Sequence, residues 1–316
     1  MKKILIIGVA AALAAAAWAS RPTYEFEGSL SSTFFYPFDA AIAPNGNVYI
    51  TDQGMHRVQY FTPTGSFLGS WGGYGSGPGS FNLAIGICVV PNANVYVTDH
   101  LNYRVQYFNA TGSFLGSWGS RGSANGQFDE PLGIARGPNG YIYVTDQLNH
   151  RIQYFTSGGS FLGKWGSLGS GNGQFNEPIH VAVRRNGDVY VTDFNNKRVQ
   201  YFNSTGSFRG KWTVGGYPEG GGFPEGLDLG PDGTVFVGCY LTQSVEYYAA
   251  AGSFLGSFGG SGSGLGSFNI PTGITVTSDA KRVYVVDCGN HRIQYFAQEN
   301  PAVAPASLGR VKALFR

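Results

Sequence analysis

Cysteine, helical patterning, long apolar runs and excess charge are all scarce in this chain of 316 residues. Three cysteines, Cys88, Cys239 and Cys288, rule out a disulfide framework, because an odd trio allows one bridge at most. Cys239 and Cys288 hold nearly equivalent repeat positions. A bridge between them is conceivable, although equivalent positions of neighbouring units usually lie too far apart. Cys88 reads as a small buried hydrophobe. Beyond the leader, no ten-residue window places apolar residues at helical spacing, which argues against a helical fold.

The one long apolar run, Ile4 to Ala17, is short and alanine-rich for a membrane span. With Lys2-Lys3 before it and Ala17-Trp18-Ala19 after it, it predicts a signal peptide over residues 1–19, the alternative being a retained anchor. No cysteine follows the cleavage site, so lipid attachment there is not expected. The expected location is extracytoplasmic: secreted, periplasmic or at the cell surface. Cleavage takes Lys2 and Lys3 from the 21 basic residues and leaves 19 against 19 acids, so the mature chain is near neutral. Arg310, Lys312 and Arg316 belong to the tail, so the body is slightly acidic. That excludes the concentrated basic surface on which nucleic-acid binding depends.

What the chain has in plenty is glycine, 49 residues, and aromatics, 15% of the sequence, arranged in a repeat. A Val-x-Val-Thr-Asp stretch places its Asp at Asp52, Asp99, Asp146 and Asp193, at steps of 47 residues. Cys239 and Asp287 hold the fifth and sixth anchors. Each unit runs through Pro-x-Gly-Ile-Ala, Pro-Asn-Gly, Val-Tyr-Val-Thr-Asp, Asn-x-Arg-Val-Gln-Tyr-Phe and Gly-Ser-Phe-Leu-Gly-Ser-Trp-Gly. Short runs rich in Val, Ile, Tyr and Phe, fenced by Gly, Pro or Asn, are strands joined by tight turns. Asn45-Gly46 and Asn139-Gly140 suit hairpins that require positive φ. Six units of four strands predict an all-β, six-bladed β-propeller of antiparallel blades, an arrangement that removes the exposed edges of a linear stack. Tyr24–Ser29 resembles a fourth strand and the last unit lacks one, so the N-terminal strand is expected to close the ring. The propeller is assigned to residues 20–298, and a Pro/Ala linker with a basic tail to 299–316. That tail reads either as a disordered end or as a sorting signal.

The stretches Asn149-His150-Arg151-Ile152-Gln153-Tyr154-Phe155 and Asn290-His291-Arg292-Ile293-Gln294-Tyr295-Phe296 resemble the motif that names the NHL repeats. The resemblance covers roughly residues 24 to 297. It implies a central channel lined by the first strand of each unit. It does not imply one activity, because the family includes binding domains, sensors, lyases and RNA-binding modules.

Repetition also sorts the candidate residues. Asp52 with Arg57, Asp99 with Arg104, Asp146 with Arg151, Asp193 with Arg198 and Asp287 with Arg292 share one spacing. In the fifth unit both partners are replaced together, by Cys239 and Ser244. Joint loss is the behaviour of a structural salt bridge, since an unpaired, partly buried charge is unfavourable. His56, His150 and His291 repeat one loop position and cannot converge on one metal from three blades. His100 has no evident partner in the sequence.

Specificity is therefore sought in the exceptions. Where other units carry Gly86, Gly133, Gly226 and Gly273, the first carries Asp39 and the fourth His180, on blades facing each other across the ring. Glu225 and Thr272 adjoin this level beside Phe38, Ile85, Leu132 and Ile179. These residues either form a ligand or cation site at the channel mouth or plug a solvated channel. In propellers of this type, amidating lyases hold zinc with several channel histidines, and lactonase-like enzymes hold calcium with convergent acids and Asn. Here only His180, Asp39 and Glu225 are available, so an enzyme is underfurnished, with calcium or zinc at the mouth left open and no other cofactor expected. The rival expectation is a monomeric binding or scaffold module for a protein, glycan or small ligand. The irregular fifth unit, with Tyr217, Tyr240 and Leu241, is its candidate contact, and the Gly/Ser-rich loops between units read as connectors.

Overall fold

The computed structural model describes residues 23–30, 32–215 and 221–299. The signal peptide and the C-terminal tail read from the sequence lie outside these residues, as does Tyr217. The chain forms six four-stranded antiparallel sheets, numbered here as blades one to six after the anchors Asp52, Asp99, Asp146, Asp193, Cys239 and Asp287. The inner strands are Pro37–Ile42, Ala84–Val89, Pro131–Arg136, Pro178–Val183, Pro224–Leu229 and Pro271–Val276. Each packs against the inner strands of its two neighbours and so builds the wall of the channel. Blade six takes its outer strand from the other end of the chain: Tyr24–Ser29 pairs antiparallel with Arg292–Gln298. Among the described residues no helix is long and apolar enough to cross a membrane.

The repeat fixes register because each anchor Asp faces its Arg across the second hairpin, as in Asp146↔Arg151 and Asp193↔Arg198. Second strands are buried throughout, whereas outer strands alternate between exposed and half-buried residues. That difference follows from a second strand sandwiched between blades and an outer strand facing water on its edge.

The core lies between blades. Trp71 of blade one meets Tyr49 and Tyr60 of its own sheet and Phe108 of blade two, at centroid distances of 5.7–6.0 Å. Gly112, in the turn before the outer strand of blade two, sits on the Trp71 ring with φ +90°, and a Cβ there would lie 2.5 Å from it. Gly159, Gly206 and Gly252 admit the indoles of Trp118, Trp165 and Trp212 in the same way. The anchor threonines tie inner strands together: Thr51, Thr98 and Thr145 donate to the Ile85, Leu132 and Ile179 carbonyls of the next blade at 2.5–2.8 Å.

Candidate functional site

Each repeated Asp is the acceptor of a small buried network. Asp146 takes Arg151 Nε at 2.6 Å, Gln153 Nε2 at 3.1 Å, Asn149 Nδ2 at 3.0 Å and the Asp129 N–H at 2.7 Å. Arg151 then donates to the carbonyls of Ser123, Ala124 and Gln127, lashing the loop between blades two and three to the sheet. Asp52–Arg57, Asp99–Arg104, Asp193–Arg198 and Asp287–Arg292 are ion pairs at 2.6–2.9 Å in the same arrangement. Burial raises the Asp99 and Asp146 carboxyls above the usual range, against the pull of these donors. In blade five the Gln is Glu246, whose carboxylate accepts the Gly215 N–H at 3.0 Å and the Tyr248 hydroxyl. Blade five has moved its acid from the second strand to the third rather than lost it.

The repeated histidines join blades. Nδ1 of His56, His150 and His291 accepts the N–H of Leu83, Glu177 and Tyr36, each in the loop entering the next blade, at 3.0–3.2 Å. All three adopt positive φ. His100, without a partner in the sequence reading, has Nε2 at 3.7 Å from the Glu130 carboxylate and Nδ1 at 3.3 Å from the Pro131 carbonyl. Burial holds its imidazole below the ordinary value. The three cysteines are free and buried, so Cys239 and Cys288 form no bridge. Burial pushes all three thiols up, Cys288 to about 12, which removes them as nucleophiles.

Networks and loops together define two ends of the channel. The loops that enter inner strands and those that follow second strands share the end bearing the anchor Asp, here the upper end. Hairpins between inner and second strands form the lower end. Just inside the upper end, Ile85, Leu132 and Ile179 form a buried apolar cluster with Phe38, Leu83 and Phe194 against it. Glu225 and Thr272 stand at the same level as this plug. Glu225 is partly exposed, and burial alone lifts its carboxyl to about 7. Thr272 is buried, and its hydroxyl has no hydrogen-bond partner among the described residues.

Asp39 and His180 lie one residue deeper and meet across the channel, His180 Nε2 at 3.2 Å from Asp39 Oδ1. They are 0% and 6% exposed, so the pair sits inside the channel rather than open at its mouth. The repeated glycine shows why only these two blades carry side chains here. A Cβ at Gly226 would lie 1.7 Å from the Thr272 carbonyl of blade six, because adjacent inner strands touch at this level. Asp39 instead bridges its strand to the next, accepting the Ile87 N–H at 3.0 Å and the Ala40 N–H at 2.8 Å. The contact with His180 is one of charge, since neither ring nitrogen makes a well-directed hydrogen bond among the described residues. Burial disfavours the imidazolium, but the Asp39 carboxylate, together with Asp228 and the Leu227 backbone, outweighs it and raises the His180 pKa.

A third acid of this channel went unread in the sequence. Asp228 of blade five repeats the bridge, accepting the Leu229 and Val276 N–H groups at 2.8 Å. Burial lifts its carboxyl to about 6. Its signal was available, since Ala41, Cys88, Ala135, Ala182 and Thr275 hold the same position in the other units. A cavity of about 240 Å³ below the plug is lined by His180, Asp228, Cys88, Arg136 and Thr275 among others. Asp39 and Asp228 are committed to backbone N–H groups. Among the described residues no three His, Cys, Asp or Glu side chains converge as metal ligands.

Tyr240 and Leu241 stand in the loop after the second strand of blade five, 38% and 58% exposed. On the same upper end Phe35, Tyr36, Met55 and Leu148 are also exposed, with Phe35 stacked on His291 at 5.4 Å.

Fold and site define a closed six-bladed β-propeller with a plugged channel. The NHL-repeat profile matches two of its units, at residues 175–202 and 268–296. No curated protein matches the chain in sequence. Solved structures of similar fold include a catalytically inactive virginiamycin B lyase from Staphylococcus aureus with quinupristin, at 15% identity and TM-score 0.62 over 89% of this chain and 90% of that one. A gluconolactonase from Xanthomonas campestris matches at 11% identity and TM-score 0.65, covering 89% and 95%. Hydrazine synthase from Kuenenia stuttgartiensis matches at 11% and 0.59, covering 85% and 97%. At such identities the likeness establishes the fold alone.

Proposed function

We propose that the protein is an exported recognition module that binds a protein partner across its upper face. The observation that carries this reading is the set of exposed Phe35, Tyr36, Met55, Leu148, Tyr240 and Leu241 around a channel end stoppered by apolar residues. Exposed aromatic and aliphatic side chains on one face supply the anchors from which interfaces draw most of their energy. Phe35 and Met55 stand where most other units carry Asn, as residues selected for contact rather than blade building should. Export rests on the basic, apolar and small-residue leader of residues 1–19. A lyase or lactonase-like reaction at the upper mouth is the poorer fit, because Asp39 and His180 lie beneath the plug and are neutralised by each other.

A photo-crosslinking residue placed at Leu241 on the intact exported protein tests this. One adduct of defined mass is expected, suppressed about tenfold or more by Tyr240→Ser with Phe35→Ser. Equal adducts from a crosslinker at Asn186 on the lower face, or no adduct at Leu241, would overturn it.

A further inference from the structure

We propose that the lower mouth of the channel is a binding site for a small dianion, such as a phosphate ester or a dicarboxylate. A recess of about 690 Å³ opens there, lined by Arg136, Arg185, Arg282, Thr277 and Asp279 among others. It shares Ile42, Val89, Arg136, Val183 and Val276 with the channel cavity above it. The site is independent of the upper-face reading.

The repeat shows that its arginines are exceptions. At the position of Arg136 the other five blades carry Ile42, Val89, Val183, Leu229 and Val276, all aliphatic. At the position of Arg185 they carry Pro44, Pro91, Pro138, Pro231 and Ser278. Neither substitution serves the blade, because neither guanidinium makes a hydrogen bond or ion pair among the described residues. Other lower-end cations are engaged: Arg282 donates twice to the Glu27 carboxylate, Arg184 reaches the Asp232 carbonyl at 3.4 Å, and Arg209 pairs with Asp188 at 2.7 Å.

Among the described residues no carboxylate comes within ion-pair distance of Arg136. The neighbouring Cys88 thiol is held neutral by burial, and Asp228 accepts two backbone N–H groups. In the recess Asp279 is occupied by the Thr277 hydroxyl, the Lys281 N–H and, at 3.6 Å, the Lys281 ammonium. A half-buried guanidinium in a ring of aliphatic side chains has surrendered water without gaining a partner, which is unfavourable unless an anion supplies the acceptors. Arginine suits that task, since its fork matches the oxygens of phosphate and carboxylate. Two such forks at one mouth match two negative charges better than one.

Titration calorimetry of the full chain with inorganic phosphate and with succinate tests the site. Saturable binding of at least one is expected, weakened about tenfold or more by Arg136→Gln and by Arg185→Gln. Preference for phosphate assigns a phosphate ester, and preference for succinate a dicarboxylate. Arg121→Gln, remote on an exposed loop, should leave binding unchanged, and Arg185 is exposed enough for its substitution to spare the fold. Absence of saturable binding for both anions, or affinity untouched by both channel-mouth substitutions, would overturn the proposal.

Discussion

At the scale of single residues, the channel shows how one departure from a repeat calls for another. Asp39 stands fully buried in the channel, and His180 answers it at 3.2 Å from the opposite blade. Because the imidazole pKa is raised above its unfolded value, the pair's stabilisation is complete below about pH 6.5. It fades as the pH rises through the folded value. Replacing Asp39 by Asn removes the main charge opposing burial at His180, leaving Asp228 as the remaining acid, and draws its pKa downward, so the difference between wild type and D39N should narrow as pH rises. Thermal melts from pH 5 to 9 are expected to show a gap of about 3 kcal/mol at the acid end. A gap that stays constant across that range would refute the coupling.

At the scale of the blade, the unit of design is the Asp–Arg–Gln–Asn network rather than any ion pair within it. Asp146→Ala would leave Arg151 Nε, Gln153 Nε2 and the Asp129 N–H without their acceptor, and Arg151 is itself buried. A loss of about 3–5 kcal/mol is expected in chemical denaturation. The double change Asp146→Cys with Arg151→Ser, copying blade five, should lose less than the two single changes summed, because no lone charge remains. Strict additivity would show that the pair is not coupled. Blade five tolerates the exchange because Glu246 supplies a carboxylate one strand away, against Gly215 and Tyr248.

At the scale of the molecule, the sixth blade is completed by Tyr24–Ser29, which supplies its outer strand and joins the two ends of the chain. Tyr24 also packs edge-on against Phe236 and Tyr247 of blade five at 5.4 Å, so closure is an interface as well as a ladder. Removing residues through Ser29 uncovers the strand Arg292–Gln298 and that aromatic contact together. A lower melting temperature and concentration-dependent association in size-exclusion chromatography are expected. A variant that melts with wild type and stays monodisperse would show that closure contributes nothing to stability.

The sequence by itself determined the number of blades, the turns, the register of each second hairpin and the strand that closes the ring. These depend on contacts between residues a few positions apart, or on positions repeated every 47, so one unit serves as a template for the next. It also singled out Asp39 and His180 as exceptions. Only the tertiary structure decided that they touch beneath an apolar plug, that Asp228 joins them, and that Arg136 and Arg185 open on one recess at the other end. Depth and convergence across a ring depend on its closed radius and on how near the inner strands approach, and no periodicity along a chain encodes a distance measured across it.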